Sequence, residues 1–443
     1  MQGFKDTSVL ETRSSLDVHL SENFDMEDVV MAADSGDESG DDETESDARH
    51  SETVSCLENL ALSFLSQLTA SLTPKTTKSS SGTQPDTMAV PKRIELNLAS
   101  RAKALNDKQI RTRTLQFPRK GKGASARSSA QLLKVANEAH EALLNESPMT
   151  KRAYSDLYYR DVTLFKSQTK VDTLVDDLAA TFAINRSNLN IRASSKGLFC
   201  GSALSIHLCD GSVISGHDTE PSLIPHAQDV AEFEIREDIS WILVVEKDAV
   251  FQTLRGSSLT NNPALSGPGI LITGKGYPDL ATRQLVKTFS DNMPEKTRIL
   301  ALVDADAYGL DIVSVYKYGS ARMRHENDSL AAERLEWIGV SASEALRMGL
   351  DRDALLPISV HDQRKALSLL RSRSDLPPSW KRELMQMLHT RRKAEIEVLH
   401  SLPLNAHTFK EDREDVDIDC APPNSSGSLI RFVICKISNT VLS

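Results

Sequence analysis

Three carboxylates stand directly after apolar runs in the second half of this 443-residue chain. Glu246 follows Trp241–Val245, and Asp304 and Asp306 follow Ile299–Val303. If the two runs are neighbouring strands of a parallel sheet, their carboxyl ends meet at one edge, where ligands bind. The one-residue spacing of the aspartates turns both to the same side of an extended backbone. Oxygen ligands of this kind favour Mg²⁺, with Mn²⁺ or Ca²⁺ as alternatives; the other interpretation is that these residues cap the helices that follow.

A pair of tyrosines is the second candidate for chemistry. Tyr158 and Tyr159 stand in the stretch Asp156–Asp161. A phenol with a pKa near 10 is ionised to about one part in a thousand at pH 7, so nucleophilic attack needs a nearby cation or base. Arg152 or Arg160 would supply positive charge. Paired tyrosines on a helix are more often core residues, so the residues alone leave both interpretations open.

A third stretch matches a phosphate-binding loop only in part. The segment Gly269–Gly276 has the glycine and lysine spacing, but Gly276 stands where a serine or threonine should hold magnesium. Its apolar middle also indicates a strand rather than a curled loop. ATP binding is therefore not expected, and Lys275 is either a phosphate contact in the loop after the strand or a solvated lysine.

The elements that must position these residues point to an α/β fold. Three continuously apolar runs read as buried parallel strands separated by helical patterns. The predicted strands are Trp241–Val245, Gly269–Thr273 and Ile299–Val303, and the predicted helices are 246–254, 279–290, 309–317 and 378–398. Residues 210–235, rich in Gly, Ser, Pro and His, indicate a linker.

The preceding region is mixed but mainly helical. Helices are predicted over 130–145 and across 158–182, followed by short strands at 189–191, 197–199 and 204–208. Helices followed by a small hairpin fit a winged-helix DNA-binding module.

Charge is distributed unevenly along the chain. The formal net charge is -10, but residues 1–50 hold fifteen Asp and Glu against three Lys and Arg, and residues 86–170 hold seventeen basic against eight acidic residues. The acidic composition predicts disorder over 1–55. A short amphipathic helix follows at 57–72, which either docks a partner or packs onto the next domain, and a linker follows at 73–88. The basic segment suits a phosphate backbone; an ordinary solvated face is the alternative.

Composition also excludes several classes of protein. Five dispersed cysteines form no C-x-x-C pair, so neither a disulfide framework nor a zinc site is expected, and a reducing compartment is inferred. No apolar run is long enough for a membrane span, and the N-terminus lacks a secretory signal pattern.

Taken together, these segments resemble one family. It comprises the A subunit of type IIB topoisomerases (topoisomerase VI) and its eukaryotic relative, the meiotic transesterase that makes programmed double-strand breaks. The matching stretches run in order: Asp156–Phe165 with Gln168 and Val171-Asp172, Ser195–Leu198, Val245–Lys247, Ile272–Leu280 with Thr282-Arg283, Val303–Asp306 with Gly309, Tyr316–Ser320 and Trp337–Gly339. The meiotic branch fits better, given the acidic tail and the K-Y-G-S stretch.

The resemblance implies a specific architecture and reaction. It implies a winged-helix domain over 89–215 and a Toprim domain (parallel sheet with flanking helices) over 216–400. Composition adds an acidic tail over 1–88. Residues 401–443 match no part of the family pattern and form a C-terminal tail whose apolar end is a packed strand or an errant terminus. A tyrosine attacks DNA phosphorus and leaves a 5′-phosphotyrosyl bond, in a nuclear homodimer that binds double-stranded DNA and has no membrane contact. The implied partners are other meiotic accessory proteins and a separate topoisomerase VI B-like subunit. The implied residues are Tyr159 and Arg152 for catalysis, Glu246, Asp304 and Asp306 for Mg²⁺, and Arg160, Lys196 and Lys275 for DNA.

The chain departs from the family pattern just before the tyrosines. Relatives carry an arginine where Ser155 stands, and Lys151-Arg152 lie three residues further back, as if residues 153–155 were inserted. In a helix, this insertion rotates Arg152 by most of a turn and moves it some 4–5 Å along the axis. Two rival functions stay open: a Toprim nuclease or primase-like enzyme, which would keep the acidic cluster without needing Tyr159, and a non-catalytic DNA-binding assembly subunit, which a displaced Arg152 would favour.

Overall fold

The computed structural model divides the chain into two compact units. The first unit is residues 16–194, and the second is residues 195–443 together with residues 1–15. The structure describes residues 8–11, 40–72, 93–100, 111–118, 124–145, 153–191, 195–236, 238–348, 350–401 and 427–441.

Both units contain helices and strands. The helices are α1 (Gly40–Leu72), α2 (Ala124–Leu144), α3 (Ala153–Arg160), α4 (Val162–Phe165), α5 (Gln168–Phe182), α6 (Asp248–Gly256), α7 (Leu280–Asn292), α8 (Ala307–Tyr318), α9 (Ala342–Arg347), α10 (Val360–Ser372), α11 (Pro378–Thr390) and α12 (Ser428–Val441). The strands are β1 (Ser8–Glu11), β2 (Ile94–Ser100), β3 (Arg111–Phe117), β4 (Leu198–Cys200), β5 (Leu204–Leu208), β6 (Val213–Ser215), β7 (Ser222–Leu223), β8 (Val230–Ile235), β9 (Trp241–Val245), β10 (Gly269–Thr273), β11 (Arg298–Leu302), β12 (Leu335–Gly339), β13 (Leu356–Pro357) and β14 (Arg392–Lys393). None of the helices that the structure describes combines the length and apolar character needed to cross a membrane.

Helices and one hairpin build the first unit. The antiparallel pair β2–β3 packs with α1, α2 and α5 around a core that includes Leu57, Leu98, Leu132 and Leu174. The helix predicted at 57–72 therefore packs within its own unit. It also begins earlier, at Gly40, within the stretch expected to be disordered. The acidic composition favoured disorder over residues 41–55. However, no glycine or proline interrupts residues 41–72, so the helix continues through this stretch.

The helical region predicted across 158–182 is broken into α3, α4 and α5. Asp161 caps α4, its side chain accepting a hydrogen bond from the Leu164 N–H at 2.9 Å. Lys166 ends that helix in the left-handed conformation, with φ 63°. These two residues set α3, which carries both tyrosines, apart from the longer α5.

The second unit is built on a six-stranded sheet of order β12-β11-β9-β10-β4-β7. The first four strands are parallel, and β4 and β7 run antiparallel. All three strands predicted here are confirmed, the last with a one-residue shift to Arg298–Leu302. Both faces are covered: Ile242 and Val244 belong to one buried cluster, and Trp241, Leu243 and Val245 to the other, which explains the continuous apolar runs.

Residues 195–235 fold into the second unit, whereas the sequence suggested a domain boundary at 215/216. Strand β4 pairs with β10, and β5, β6 and β8 form a sheet with β1. The strands predicted at 197–199 and 204–208 exist but belong to this unit, and residues 186–189 form a 3-10 helix. The predicted linker at 210–235 is wrong, because it contains β6, β7 and β8, short strands hidden by a polar composition.

The apolar C-terminus is a helix, α12, rather than a strand or a loose end. Leu429, Phe432, Val433 and Ile437 are buried in the core beside β9 and β11. Their spacing of three to four residues places them on one helical face. Residues 402–426, which precede α12, lie outside the described residues.

Replacing Phe432 with alanine tests whether α12 belongs to the core. Because the ring is fully buried, we expect Phe432→Ala to lower the free energy of unfolding by about 3–5 kcal/mol, measured by urea denaturation of the full chain. Leu356→Ala, at a side chain that is 44% exposed, is the control. A loss for Phe432→Ala no larger than that of the control contradicts the assignment.

Candidate active site

Glu246 and Asp304 are brought together by the pairing of β9 with β11. Val245 lies opposite Leu302 in this parallel pair, so the residues that follow both strands emerge side by side. The Glu246 N–H donates to the Leu302 carbonyl at 3.1 Å. The Asp304 N–H donates to Glu246 Oε2 at 3.0 Å. The structure thus places these two residues together, as expected from the sequence.

Asp306 is fixed at the start of α8. Its Oδ1 accepts hydrogen bonds from the N–H groups of Tyr308 (2.8 Å) and Gly309 (2.9 Å), so the helix-capping interpretation holds for this residue. A side chain at position 309 would place its Cβ 2.3 Å from the Asp304 carbonyl oxygen. The D-x-D-x-x-G spacing is therefore a steric requirement of this turn.

The acidic cluster of Glu246, Asp304 and Asp306 is electrostatically strained. Burial, and then the neighbouring Asp304 carboxylate, raise the pKa of Glu246 to about 7. Burial raises the pKa of Asp304 to about 6. Both shifts have the same origin, since carboxylates withdrawn from water favour the neutral form. A cation at the cluster would relieve this cost.

A further segment of the site was not predicted from the sequence. The predicted helix 378–398 ends at Thr390, and residues 393–397 instead run beside the turn that holds the two aspartates. Ala394 exchanges backbone hydrogen bonds with Ala305 (2.8 and 3.3 Å), and the Ile396 N–H donates to Asp304 Oδ1 at 2.9 Å. The sequence pattern that could have indicated an extended segment is the alternation Lys-Ala-Glu-Ile-Glu, in which Ala394 and Ile396 are buried.

Two lysines supply positive charge to the cluster. Lys247 Nζ lies 3.1 Å from Asp304 Oδ2, 3.3 Å from Glu395 Oε2 and 2.7 Å from Glu397 Oε2. On the other side, Lys393 Nζ lies 3.3 Å from Asp306 Oδ2. Burial, which acts to lower the pKa of Lys247, is outweighed by Glu397 and Asp304, so its pKa is raised and the group stays charged. Neither lysine had been predicted to lie at the site.

The donor set fits a hard divalent cation in chemistry, although the lysines now engage it. Glu246, Asp304 and Asp306 offer only oxygen ligands, as Mg²⁺ prefers, at a buried position where three carboxylates lie close together. Among the described residues, however, no three His, Cys, Asp or Glu side chains form a ready set of metal ligands. The oxygens that would face a cation are occupied by Lys247 at Asp304 and by Lys393 at Asp306.

The predicted phosphate contacts Lys196 and Lys275 meet at the loop that follows β10. Lys196 Nζ donates to the Lys275 carbonyl at 3.2 Å, and the Lys196 N–H donates to Asp279 Oδ2 at 2.6 Å. The same loop touches the cluster, because the Gly276 N–H donates to the Glu246 carbonyl at 2.8 Å. Both lysine side chains are exposed. Gly269–Thr273 is strand β10, as the rejection of a phosphate loop predicted.

In the first unit, the two tyrosines of α3 have opposite environments. Tyr159 is 70% exposed, whereas Tyr158 packs against the buried core of that unit, with the two ring centroids 5.2 Å apart. The Arg160 guanidinium donates to Oε2 of the buried Glu138 at 2.5 Å. Arg152 lies outside the described residues.

Both regions match known protein families. The family model for the Toprim domain of the topoisomerase 6 A subunit and Spo11 matches residues 241–410, and the model for type IIB DNA topoisomerase matches residues 127–191. The chain is 34% identical over 276 residues to the meiotic recombination protein SPO11 of Mus musculus (62% of this chain, 67% of the relative). It is 34% identical over 299 residues to the meiotic recombination protein rec12 of Schizosaccharomyces pombe (67% and 79%), and 32% identical over 285 residues to the DNA topoisomerase 6 A subunit of Arabidopsis thaliana (63% and 63%).

The matched domains define the class of this chain as a topoisomerase-like, DNA-cleaving enzyme of type IIB with a Toprim domain. More particularly, the chain belongs to the family of Spo11 and the topoisomerase 6 A subunit. The resemblance inferred from the sequence is confirmed. Toprim domains and topoisomerases generally use a divalent metal such as Mg²⁺.

Removing the Lys393 ammonium tests its part in holding the cluster. Lys393 also lies 3.1 Å from Oδ1 of the buried Asp362, so Lys393→Met leaves two carboxylates without their counter-cation. We expect a loss of about 2 kcal/mol in unfolding free energy, below the ~3–5 kcal/mol of a fully buried pair because Lys393 keeps some contact with water. Urea denaturation measures this loss.

The matched control is Lys296→Met, which removes the same charge from an ion pair with Asp238 that is mostly exposed. Exposed pairs contribute little, so the control should match the unmodified chain. Equal stability of the two variants would show that Lys393 does not stabilise the cluster.

Proposed function

We propose that this chain makes double-strand breaks in meiotic DNA by transesterification, with Tyr159 as the nucleophile. The tyrosine Oη gives up its proton and forms a bond to phosphorus, the bond from phosphorus to the 3′-oxygen breaks, and the leaving 3′-oxygen takes up a proton. The product is a 5′-phosphotyrosyl link and a free 3′-hydroxyl. The observation that carries this proposal is the exposure of Tyr159, on a helix within the type IIB topoisomerase match, beside a packed Tyr158.

The acidic cluster is proposed as the metal-binding half of the active site. Mg²⁺ held by Glu246, Asp304 and Asp306 would stabilise the charge that develops on the transferring phosphate. The residues themselves do three things: β9 and β11 align Glu246 with Asp304, the start of α8 fixes Asp306, and burial keeps bulk water from competing for their oxygens. Lys196 and Lys275, exposed beside Glu246, are proposed to contact DNA phosphates, and Arg160 is proposed to do so near Tyr159.

Cleavage of both strands calls for two tyrosines, so we propose a homodimer acting on double-stranded DNA. The first unit, with helices around the β2–β3 hairpin, supports a winged-helix DNA-binding role, and its contacts to DNA would be mainly to the backbone. The proposed partners are other meiotic accessory proteins and a topoisomerase VI B-like subunit. The relatives named as meiotic recombination proteins support a nuclear location on chromosomes.

Replacing Tyr159 with phenylalanine tests the nucleophile. We expect Tyr159→Phe to lower covalent protein–DNA product by on the order of a thousandfold or more, because the attacking oxygen is gone. The measurement is recovery of labelled DNA bound to the denatured protein, with proposed partners and Mg²⁺ present. Tyr158→Phe, at the packed neighbour, should retain the product.

The outcomes separate the rival functions. Cleavage by Tyr159→Phe without covalent product would identify a Toprim nuclease or primase-like enzyme. No product from the unmodified chain in the presence of partners would favour a non-catalytic DNA-binding subunit.

The two loop lysines are tested by the salt dependence of DNA binding. Each phosphate contact contributes about one to the slope of log K against log salt, so Lys196→Ala and Lys275→Ala should each lower that slope by about one and weaken binding similarly for all sequences. Fluorescence anisotropy with duplexes of different sequence measures both quantities. Lys296→Ala is the control. If the Lys196→Ala and Lys275→Ala variants show the same salt slope as this control, the two lysines do not contact DNA.

A further inference from the structure

The two lysines of the acidic cluster differ in how firmly they are held. Both partners of Lys393, Asp306 and Asp362, are buried. Lys247 has one buried partner, Asp304, and two carboxylates, Glu395 and Glu397, whose side chains are each 43% exposed. The two lysines therefore differ in their partners: those of Lys393 are both buried, whereas two of the three partners of Lys247 reach water.

The anchoring of Lys393 leaves it little freedom. Asp362 belongs to a capping box at the start of α10, where its Oδ2 accepts from the N–H (2.7 Å) and Oγ (2.6 Å) of Ser359. Asp306 is held by the start of α8. The backbone of Lys393 is paired with Leu356 in the β13–β14 ladder. Each group that touches the ammonium is fixed by a separate element.

Lys247 competes directly for the oxygen that a cation would need. Asp304 Oδ1 accepts from the Ile396 N–H, which leaves Oδ2 facing the Lys247 ammonium at 3.1 Å. A magnesium ion binds carboxylate oxygen at about 2.0–2.1 Å, and two cations do not share that side of one oxygen. The flexible four-carbon stem of a lysine allows the ammonium to move towards Glu397, already 2.7 Å away.

We propose that Lys247 is a displaceable counter-cation of the acidic cluster, which leaves Asp304 Oδ2 for Glu395 and Glu397 when a divalent ion binds. The inference rests on the proposed metal-binding role of Glu246 and Asp304. Lys247 is thus a positioning residue: it holds the carboxylates together in the free chain, and Glu395 and Glu397 receive its ammonium on metal binding. A displaceable Lys247 explains why the carboxylates of the cluster suit a metal ion and yet pair with a lysine in the free chain.

The test is a titration of the full chain with Mn²⁺ in the absence of DNA, followed by electron paramagnetic resonance of the free ion. Lys247→Met removes the competitor, and we expect its dissociation constant for Mn²⁺ to fall by about tenfold. A merely structural role predicts weaker binding, since loss of the lysine would loosen the site. Lys436→Met, which removes a lysine paired with Glu344 instead, should bind as the unmodified chain does.

A double-mutant cycle tests the receiving carboxylates. Glu395→Gln/Glu397→Gln should weaken Mn²⁺ binding several-fold when Lys247 is present and have little effect in the Lys247→Met background, because these residues then have no ammonium to receive. Equal weakening in both backgrounds would overturn the receiving role and indicate direct ligation or general electrostatics. Equal or weaker binding by Lys247→Met would overturn the displacement itself, whereas absence of Mn²⁺ binding by the unmodified chain would instead overturn the proposed metal role.

Discussion

The main constraint on the second unit is that its parallel sheet brings carboxylates of like charge together at one end. Strands β9 and β11 are buried on both faces, and this burial fixes their register and brings Glu246 against the backbone N–H of Asp304 at 3.0 Å. Apolar packing on the strands therefore offsets the repulsion at their ends. The raised pKa values of Glu246 and Asp304 show the cost that remains. Loop 274–279, the start of α8 and the segment 393–397 are each arranged around this cluster.

Capping and metal binding are compatible for Asp306, although the sequence presented them as alternatives. One carboxylate oxygen caps α8, and the other faces Lys393. The cap orients the Asp306 carboxylate, because two backbone N–H groups donate to one oxygen and the second oxygen is then directed towards the cluster. Asp304 follows the same plan, with Oδ1 on the Ile396 N–H and Oδ2 towards Lys247. Backbone donors thus fix each aspartate through one oxygen and leave the other for positive charge.

Sequence patterns anticipated those parts of the fold in which one physical signal dominates. Trp241–Val245 and Gly269–Thr273 are buried on both faces, so their apolar runs predicted strands correctly. The carboxylates after Trp241–Val245 and Ile299–Val303 predicted that an acidic cluster forms at one end of the sheet. Segment 393–397 was missed because only two of its residues are buried, too few to distinguish a short extended segment from the end of helix α11. Helix α12 was missed although its sequence carries the signal, since Leu429, Phe432, Val433 and Ile437 recur at helical spacing with Arg431 and Lys436 between them. Its position in the core depends on surfaces formed by residues distant in the sequence.

The tyrosine pair shows how neighbours of identical chemistry come to lie in different environments. On α3, consecutive residues point about 100° apart, so one ring packs on the core while the next faces solvent. The packed Tyr158 fixes the helix that presents Tyr159, and the exposed ring is free to meet a substrate. Arg160 continues the turn towards Glu138, a buried carboxylate of α2, which ties the end of α3 to the core of the first unit. Residues 153–155, which separate Arg152 from its expected place, form the first turn of the same helix. The departure from the family pattern that the sequence suggests therefore lies in the first turn of α3, while the packing of Tyr158 and the Arg160–Glu138 pair fix the part of the helix that carries Tyr159.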